Sequence, residues 1–527
     1  MKLRTFFISI CFLFFIGNAI FSLLGSSYIP THDGEYHIIR FVEFSKMLSA
    51  GYLIPRWAPD LNSGYGVPIF QFHYPLPNYI GSIIRLITQD AVYAFQWSLA
   101  FGYVLILFGF LYWLLYYFPL HIAMLGAVIG SYTPYIFLDI YVRGVIGEVF
   151  AIGLFGFLLG SIERKKYLLS SVLIALLIIS HNISAMIFGG YLLCFALYRK
   201  RQPYFLLFGA LLSAYFWIPA LFEQKYVVGL NTVNFRDHFV QLYEFLIPSW
   251  GTQFSATGSV GNKMSFQIGV IPFFVSLIVV IRSYFEPQNQ LKTILMFLAF
   301  SLCGLLLLFP ITVPFWEFIQ PLQLVQYPWR LLSLSIPVTA FGASYLILKR
   351  TSLSGTLIIL LGVLVITWRY VRPVRYEPRN EQYYTSKQNF TDGTSSMGNS
   401  FSTIWTSWKE IKPTASVEVT VGTLSDTKVK KYLSKTIRVT MIEDGIVRFH
   451  TLYFPGWKAF IDGKNAEIQY KKDGVIEVVV PKGEHIVHIQ YFETPLRLFA
   501  DIVSIASLIG IAGWGILSLR TARVNLS

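Results

Sequence analysis

The chain has 527 residues, of which 54% are hydrophobic and 17% aromatic but only 13% charged, about half the roughly 25% charged content of a soluble protein. That balance excludes a soluble enzyme and marks a membrane protein, because each span needs about 20 apolar residues. The formal net charge is +14, yet the cations fall in short clusters between apolar runs rather than along one polar face, a pattern of membrane topology and not of nucleic-acid binding. Cys11, Cys194 and Cys303 each sit inside an apolar run, so they supply neither a disulfide framework nor a thiolate metal site.

In chain order, the apolar runs predict about twelve transmembrane helices, at 6–25, 92–117, 120–138, 148–162, 167–182, 184–198, 204–222, 266–282, 292–309, 330–348, 353–371 and 496–519. The first is too long for a usual signal-peptide core and no small-x-small cleavage site is clear near Gly25-Ser26-Ser27, so it is read as a helix. If Lys2 and Arg4 hold the N-terminus in the cytoplasm, alternation places Arg164-Lys165-Lys166, Arg199-Lys200-Arg201, Arg282, Lys292, Lys349-Arg350, Arg520 and Arg523 on that same side. The expectation is a polytopic α-helical protein of the cytoplasmic (plasma) membrane, with both termini cytoplasmic and its active face extracytoplasmic. Residues 26–91, 139–147, 223–265, 310–329 and 372–494 then lie outside. The organisation predicted is a transmembrane domain over 1–371 with a large first external loop, a β-rich extracytoplasmic domain over 372–494, and a last helix with a cytoplasmic tail over 495–527.

The first external loop opens with Thr31-His32-Asp33-Gly34-Glu35-Tyr36-His37, followed by Arg40 and Glu43 on a short amphipathic helix. Asp33 and Glu35, two apart, cannot face one way on a regular helix, but near Gly34 both can approach a divalent cation. A carboxylate at the membrane edge can instead act as general base toward an acceptor hydroxyl, and Asp33 also suits a plain helix N-cap. Further on, 55–59 and 72–77 are rich in aromatic residues and proline, as suits anchoring among membrane lipids at headgroup depth.

The second external loop holds Asp139, Tyr141, Arg143 and Glu148, the last at the start of a span. Charges there cost several kcal/mol each if unpaired, about 2.5 or more at mid-bilayer, so they line a wet cavity or pair with one another, Arg143 with Glu148 being the simplest pair. His181-Asn182 points to the same region. Gln326-Tyr327-Pro328-Trp329-Arg330 puts an arginine on the outer side, where it either meets a lipid phosphate or snorkels to water.

Beyond Arg369 the chain turns polar over 372–415, and then alternates apolar and polar positions over 416–492. Strands are predicted at 417–421, 437–441, 446–450, 475–480 and 486–491, with Asp444-Gly445, Asp462-Gly463, Asp473-Gly474 and Lys482-Gly483 supplying turn residues that tolerate positive φ. A small antiparallel sandwich fits, acting as a structural lid or a carbohydrate-facing module. His450, His485 and His488 lack a metal-ligand spacing.

Five segments carry a resemblance: Asp33-Gly34-Glu35-Tyr36-His37, the run Tyr141 to Glu148, Ser180-His181-Asn182, Gln326-Tyr327-Pro328-Trp329-Arg330, and Phe454-Pro455-Gly456-Trp457-Lys458-Ala459-Phe460-Ile461-Asp462-Gly463. In this order they resemble bacterial membrane proteins labelled 6-pyruvoyl-tetrahydropterin synthase-related, close to the YfhO-like proteins, within the GT-C glycosyltransferases. The pterin label carries no function here, since no histidine zinc site of a soluble fold is present. The resemblance implies a GT-C-like transferase that moves a sugar from a polyprenyl-phosphate-linked donor to a glycan, lipid or protein acceptor. It implies Asp33 as base or metal ligand, with Glu35 second and Glu148 as a further acid. Arg143 and Arg330 would hold the donor phosphate, with Tyr327, His37 and Arg40 in the same substrate-binding group and His181 orienting a hydroxyl. A divalent metal ion on Asp33, Glu35 and Glu148 is the one cofactor implied. Transport of lipid-linked glycans and a non-catalytic role in envelope assembly are the rival classes; no phosphate-binding loop for ATP is present.

Overall fold

The computed structural model describes residues 2–229, 233–255, 262–283, 285, 289–350, 352–386, 400–406 and 413–524. Among the described residues, five helices are long and apolar enough to cross a membrane, or up to eight if each of three bent pairs is one span, and four shorter apolar helices accompany them. The chain forms two compact units that do not follow chain order: Met1–Gly34, Phe95–Leu211 and Val233–Pro378 make the first, and Glu35–Ala94, Leu212–Thr232 and Arg379–Ser527 the second.

The first unit is a helical core. Between Glu148 in its first turn and Glu163 at its end, helix Ile146–Glu163 is predominantly apolar on every face and almost wholly buried, as expected of a helix packed on every side. Helix Leu120–Ser131 lies against Ser335–Arg350, so close that a Cβ on Gly126 would stand 1.8 Å from Ser344 Oγ; small residues here give the backbones their approach.

One sequence expectation is corrected here. The span expected at 120–138 and the external loop at 139–147 are instead one bent, buried path. Helix Leu120–Ser131 stops before Pro134, whose ring forces Thr133 into extended backbone. After a 57° bend the chain resumes as Pro134–Phe137 and a π-helical turn, Leu138–Arg143, all buried.

The second unit brings residues 35–94 together with the C-terminal sheets and the last helix. Its described residues include eight strands: β1 Val417–Val419, β2 Gly422–Lys431, β3 Ser434–Met441, β4 Gly445–Leu452, β5 Trp457–Ile461, β6 Lys464–Ala466, β7 Val475–Val480 and β8 Gly483–Tyr491. They form two antiparallel sheets, ordered β1-β4-β7 and β2-β3-β8-β5-β6. Alternation explains which face is covered: Ile437, Val439 and Met441 on β3 and Val487, Ile489 and Tyr491 on β8 are buried, while Arg438, between Ile437 and Val439, and Ile486, just before Val487, are exposed. Asp462 and Gly463, at φ 50° and 79°, turn β5 into β6, the left-handed pair that a two-residue hairpin requires. Gly474 and Gly483 also take positive φ, but Gly445 does not and simply begins β4. In the polar segment before the sheets, 387–399 and 407–412 lie outside the described residues.

The aromatic loop is also corrected. Trp57 is 1% exposed, its ring edge-on to Trp457 at 5.8 Å and tilted on Tyr491 at 5.8 Å. Arg56 is buried beside it, its Nε 3.0 Å from Glu493 and Nη2 3.0 Å from Asp501. Segment 55–59 is therefore part of a protein core; desolvated rings and a doubly paired arginine hold it there rather than lipid headgroups.

Candidate active site

The densest buried charge in the first unit lies where the π-helical turn meets helix Ile146–Glu163. Gly144 ends the turn at φ +69°, its N–H donating to the Asp139 carbonyl. The following helix then starts with Glu148 in its first turn. This reversal brings Asp139, Arg143 and Glu148 together. Arg143 Nη1 donates to Asp139 Oδ1 and, at 2.9 Å, to Glu148 Oε2. Tyr135 Oη donates to the other Glu148 oxygen.

Arg330 joins from far along the chain. Its Nε is 3.8 Å from Glu148 Oε2, while Nη1 donates to the Val325 carbonyl at 2.8 Å and to Gln326 Oε1 at 3.2 Å. The Arg143 guanidinium lies over the Trp329 ring at 4.4 Å, and that of Arg330 over Tyr327 at 4.8 Å, contacts that supplement the ion pairs once water is excluded. Asp139, Glu148, Arg143 and Arg330 are 0%, 1%, 4% and 7% exposed. Two buried cations thus meet two buried anions, which offsets much of their desolvation. The pairing expected of Arg143 with Glu148 is present; Arg330 is buried and neither snorkels to water nor lies open to lipid. Asp139 Oδ2 and Arg330 Nε have no hydrogen-bond partner among the described residues.

His181 caps helix Asn182–Tyr198, its Nδ1 accepting from the Ser184 N–H at 3.2 Å. It lies within electrostatic reach of Glu148, Arg143 and Arg330. Tyr327 is half-buried, stacked on Trp329 at 5.1 Å and edge-on to His238 at 4.7 Å.

Asp33 is tied to this cluster through the backbone. His32 N–H donates to the Val142 carbonyl at 3.0 Å and Asp33 N–H to the Arg143 carbonyl at 2.9 Å. The Asp33 carboxylate is half-buried, feels the Arg143 charge, and makes no hydrogen bond or ion pair among the described residues. It therefore does not cap the helix that follows. The preceding His32 donates from Nε2 to the Thr252 carbonyl at 2.8 Å and lies on the Phe254 ring at 4.4 Å. Burial holds its pKa below the usual histidine value, so the ring is neutral at pH 7 with its proton on Nε2.

Glu35, His37 and Arg40 belong to the second unit and are engaged there. Glu35 pairs with Arg379. Arg40 Nη1 is 2.8 Å from His73 Nε2 and its guanidinium lies over Tyr36 at 5.5 Å; the His37 ring is edge-on to His73 at 5.9 Å. The reason is local: helix Gly34–Ser49 begins between Asp33 and Glu35, and its residues pack with their own unit.

The implied divalent metal does not fit Asp33, Glu35 and Glu148. The Glu148 and Glu35 carboxylates are committed to arginines, and no group of three His, Cys, Asp or Glu among the described residues is placed to hold an ion. Sequence reasoning left Tyr135, Trp329, His32 and Thr252 without a role and did not assign Asp139. Tyr135, Asp139 and Arg143, spaced by four, carried a signal that a helical reading of that segment would have used. Neither the family models nor the curated proteins compared with this sequence give a match.

Proposed function

We propose that the chain is a membrane glycosyltransferase of GT-C type, related to the 6-pyruvoyl-tetrahydropterin synthase-related and YfhO-like proteins, with about twelve spans and this cluster on the extracytoplasmic side of the plasma membrane. The observation that carries the reading is a carboxylate with no hydrogen-bond or ion-pair partner among the described residues, Asp33, pinned by its own backbone to the arginine of a buried charge cluster. The donor is a polyprenyl-phosphate-linked sugar and the acceptor a glycan, lipid or protein hydroxyl. Asp33 takes the acceptor proton as the acceptor oxygen forms a bond to the anomeric carbon. The bond from that carbon to the phosphate oxygen breaks, and the electron pair leaves with the phosphate. Arg330 and Arg143 stabilise the charge on that leaving phosphate, the unsatisfied Arg330 Nε offering a donor. Glu148 holds the two guanidinium groups in place and is a positioning residue. His181 and Tyr327 flank the donor. Glu35, His37 and Arg40 take no part in the proposed chemistry, and no step passes through a metal.

The test is reconstitution in lipid with radiolabelled polyprenyl-phosphate sugars and crude envelope acceptors, with and without chelator. Label transfer by the wild type that falls by about 100-fold or more in Asp33→Asn, with folding and donor binding retained, supports the reading. Transfer abolished by chelator returns a metal to the mechanism. No turnover with any donor, or turnover indifferent to Asp33→Asn, moves the weight to a flippase or to a non-catalytic envelope-assembly protein.

A further inference from the structure

A pocket of about 490 Å³ in the first unit is lined by Trp250, Thr252, Asn262, Trp368, Arg369 and Arg372, a size within the roughly 300–1,000 Å³ of small-molecule sites. We infer that it is the acceptor subsite of the proposed transferase, and that it takes a saccharide carrying a phosphate or carboxylate; the inference rests on the transferase reading above.

Thr252 lines the pocket and its carbonyl accepts the hydrogen bond from His32 Nε2 at 2.8 Å. His32 is the neighbour of Asp33, the proposed base. An acceptor seated here touches the residue that holds the His32 ring, one position before the proposed base.

Two indole rings offer flat apolar faces of the kind that the C–H face of a sugar ring covers, and the Nε1 of Trp250 is a buried donor with no partner among the described residues. Asn262 and Thr252 supply amide and hydroxyl groups for sugar hydroxyls. The Arg372 guanidinium carbon lies over the Trp368 ring, 3.6 Å from its centroid, and its planar fork of donors suits a carboxylate or phosphate, with Arg369 adding a second cation. No carboxylate is among the described residues lining the pocket, so the fixed charge they supply is positive and selects an anionic ligand.

The rim is built. Thr252 and Gln253 N–H groups both donate to the Asn262 carbonyl, at 3.0 and 2.8 Å, and Asn262 Nδ2 donates to Thr252 Oγ1 at 3.0 Å. A Cβ on Gly251 would stand 2.2 Å from the Lys263 carbonyl oxygen, so the two sides of this loop meet at backbone contact.

The experiment is equilibrium dialysis of radiolabelled glucose 1-phosphate against the full chain in phosphatidylcholine nanodiscs, with methyl glucoside, inorganic phosphate and phosphatidylglycerol nanodiscs as competitors. Saturable binding is expected, weakened about tenfold in Arg372→Gln and in Trp250→Phe, with methyl glucoside and phosphate each competing at least about tenfold more weakly than unlabelled glucose 1-phosphate. Arg372 is exposed, so its variant folds even if Trp250→Phe does not. The inference is overturned by absence of saturable binding, by equal affinity in the wild type and Arg372→Gln, by inorganic phosphate competing as well as the sugar phosphate, or by phosphatidylglycerol displacing the probe, which would make this a lipid-headgroup site. Because the readout is binding, binding without transfer from any donor sinks the transferase reading and leaves an anionic-saccharide pocket. Transfer without binding sinks the pocket alone.

Discussion

The Asp33 amide donates to the Arg143 carbonyl at 2.9 Å, so the proposed base is registered against the buried arginine by main chain rather than by side chain. The partner segment turns at Gly144, whose φ is +69° and whose missing Cβ would lie 2.2 Å from Thr31 Oγ1. Gly144→Ala is therefore expected to lose thermal stability by about 1–2 kcal/mol from backbone strain alone, and to lose transfer more steeply because Asp33 moves with Thr31. Thr31→Ala combined with Gly144→Ala removes the Oγ1 clash and should recover part, but not all, of that loss in a nanodisc melting assay.

Glu148 stands between two guanidinium groups with Tyr135 on its other oxygen. Glu148→Gln leaves buried positive charge uncompensated and is expected to destabilise the protein by about 3–5 kcal/mol. Replacing the whole cluster, Asp139→Leu, Arg143→Met, Glu148→Leu and Arg330→Met, should restore most of the melting temperature while leaving transfer abolished. A Glu148→Gln protein that melts normally and fails only in kcat would make Glu148 a catalytic acid instead.

Trp57 is expected to act as core and not as a membrane anchor. Trp57→Ala opens a cavity beside Trp457 and Tyr491, costing about 3–5 kcal/mol. Limited proteolysis should then cut within β5 and β8, at sites protected in the wild type. Unchanged protection together with weaker membrane association would restore the anchoring role.

Lys435 on β3 has its Nζ 2.8 Å from Thr451 Oγ1, and burial pulls its pKa down to about 8 from 10.5. The unfolded chain therefore binds the proton more strongly than the folded one, so stability rises with pH between about 8 and 10.5 and the full cost of the buried ammonium is carried below about 8. Lys435→Met should raise the melting temperature at pH 7, with a gain of about 1 kcal/mol or more, and the advantage should shrink as pH climbs through that window. A constant difference across pH 7 to 10.5 would place the effect in packing instead.

Much of the local structure was legible in the sequence because it depends on patterns within a few residues. Apolar runs such as Ile146–Glu163 can only be helices packed among other apolar groups. The alternation of Val475–Val480 and Gly483–Tyr491 specifies strands with one covered face, and Asp462-Gly463 specifies its own hairpin. The charges at 139, 143 and 148 announced that they must be paired or wet, since an unpaired charge in an apolar setting is too costly.

What the tertiary structure alone decided was the identity of each partner. Periodicity records which face of a segment avoids water, and says nothing of which distant segment covers it. Arg330 reaches Glu148 across 182 positions of sequence, and Trp57 reaches Trp457 across 400. The bend at Pro134 and the π-helical turn rotated Asp139 and Arg143 out of the solvent loop that their polarity suggested and into the core. Asp33 and Glu35, two residues apart and chemically alike, were separated for the same reason. Asp33 is held by hydrogen bonds to the first unit, whereas Glu35 starts a helix whose ion pair with Arg379 lies in the second. A short-range code cannot express that choice, because it is made by backbone donors and buried charges finding the nearest complementary group in three dimensions.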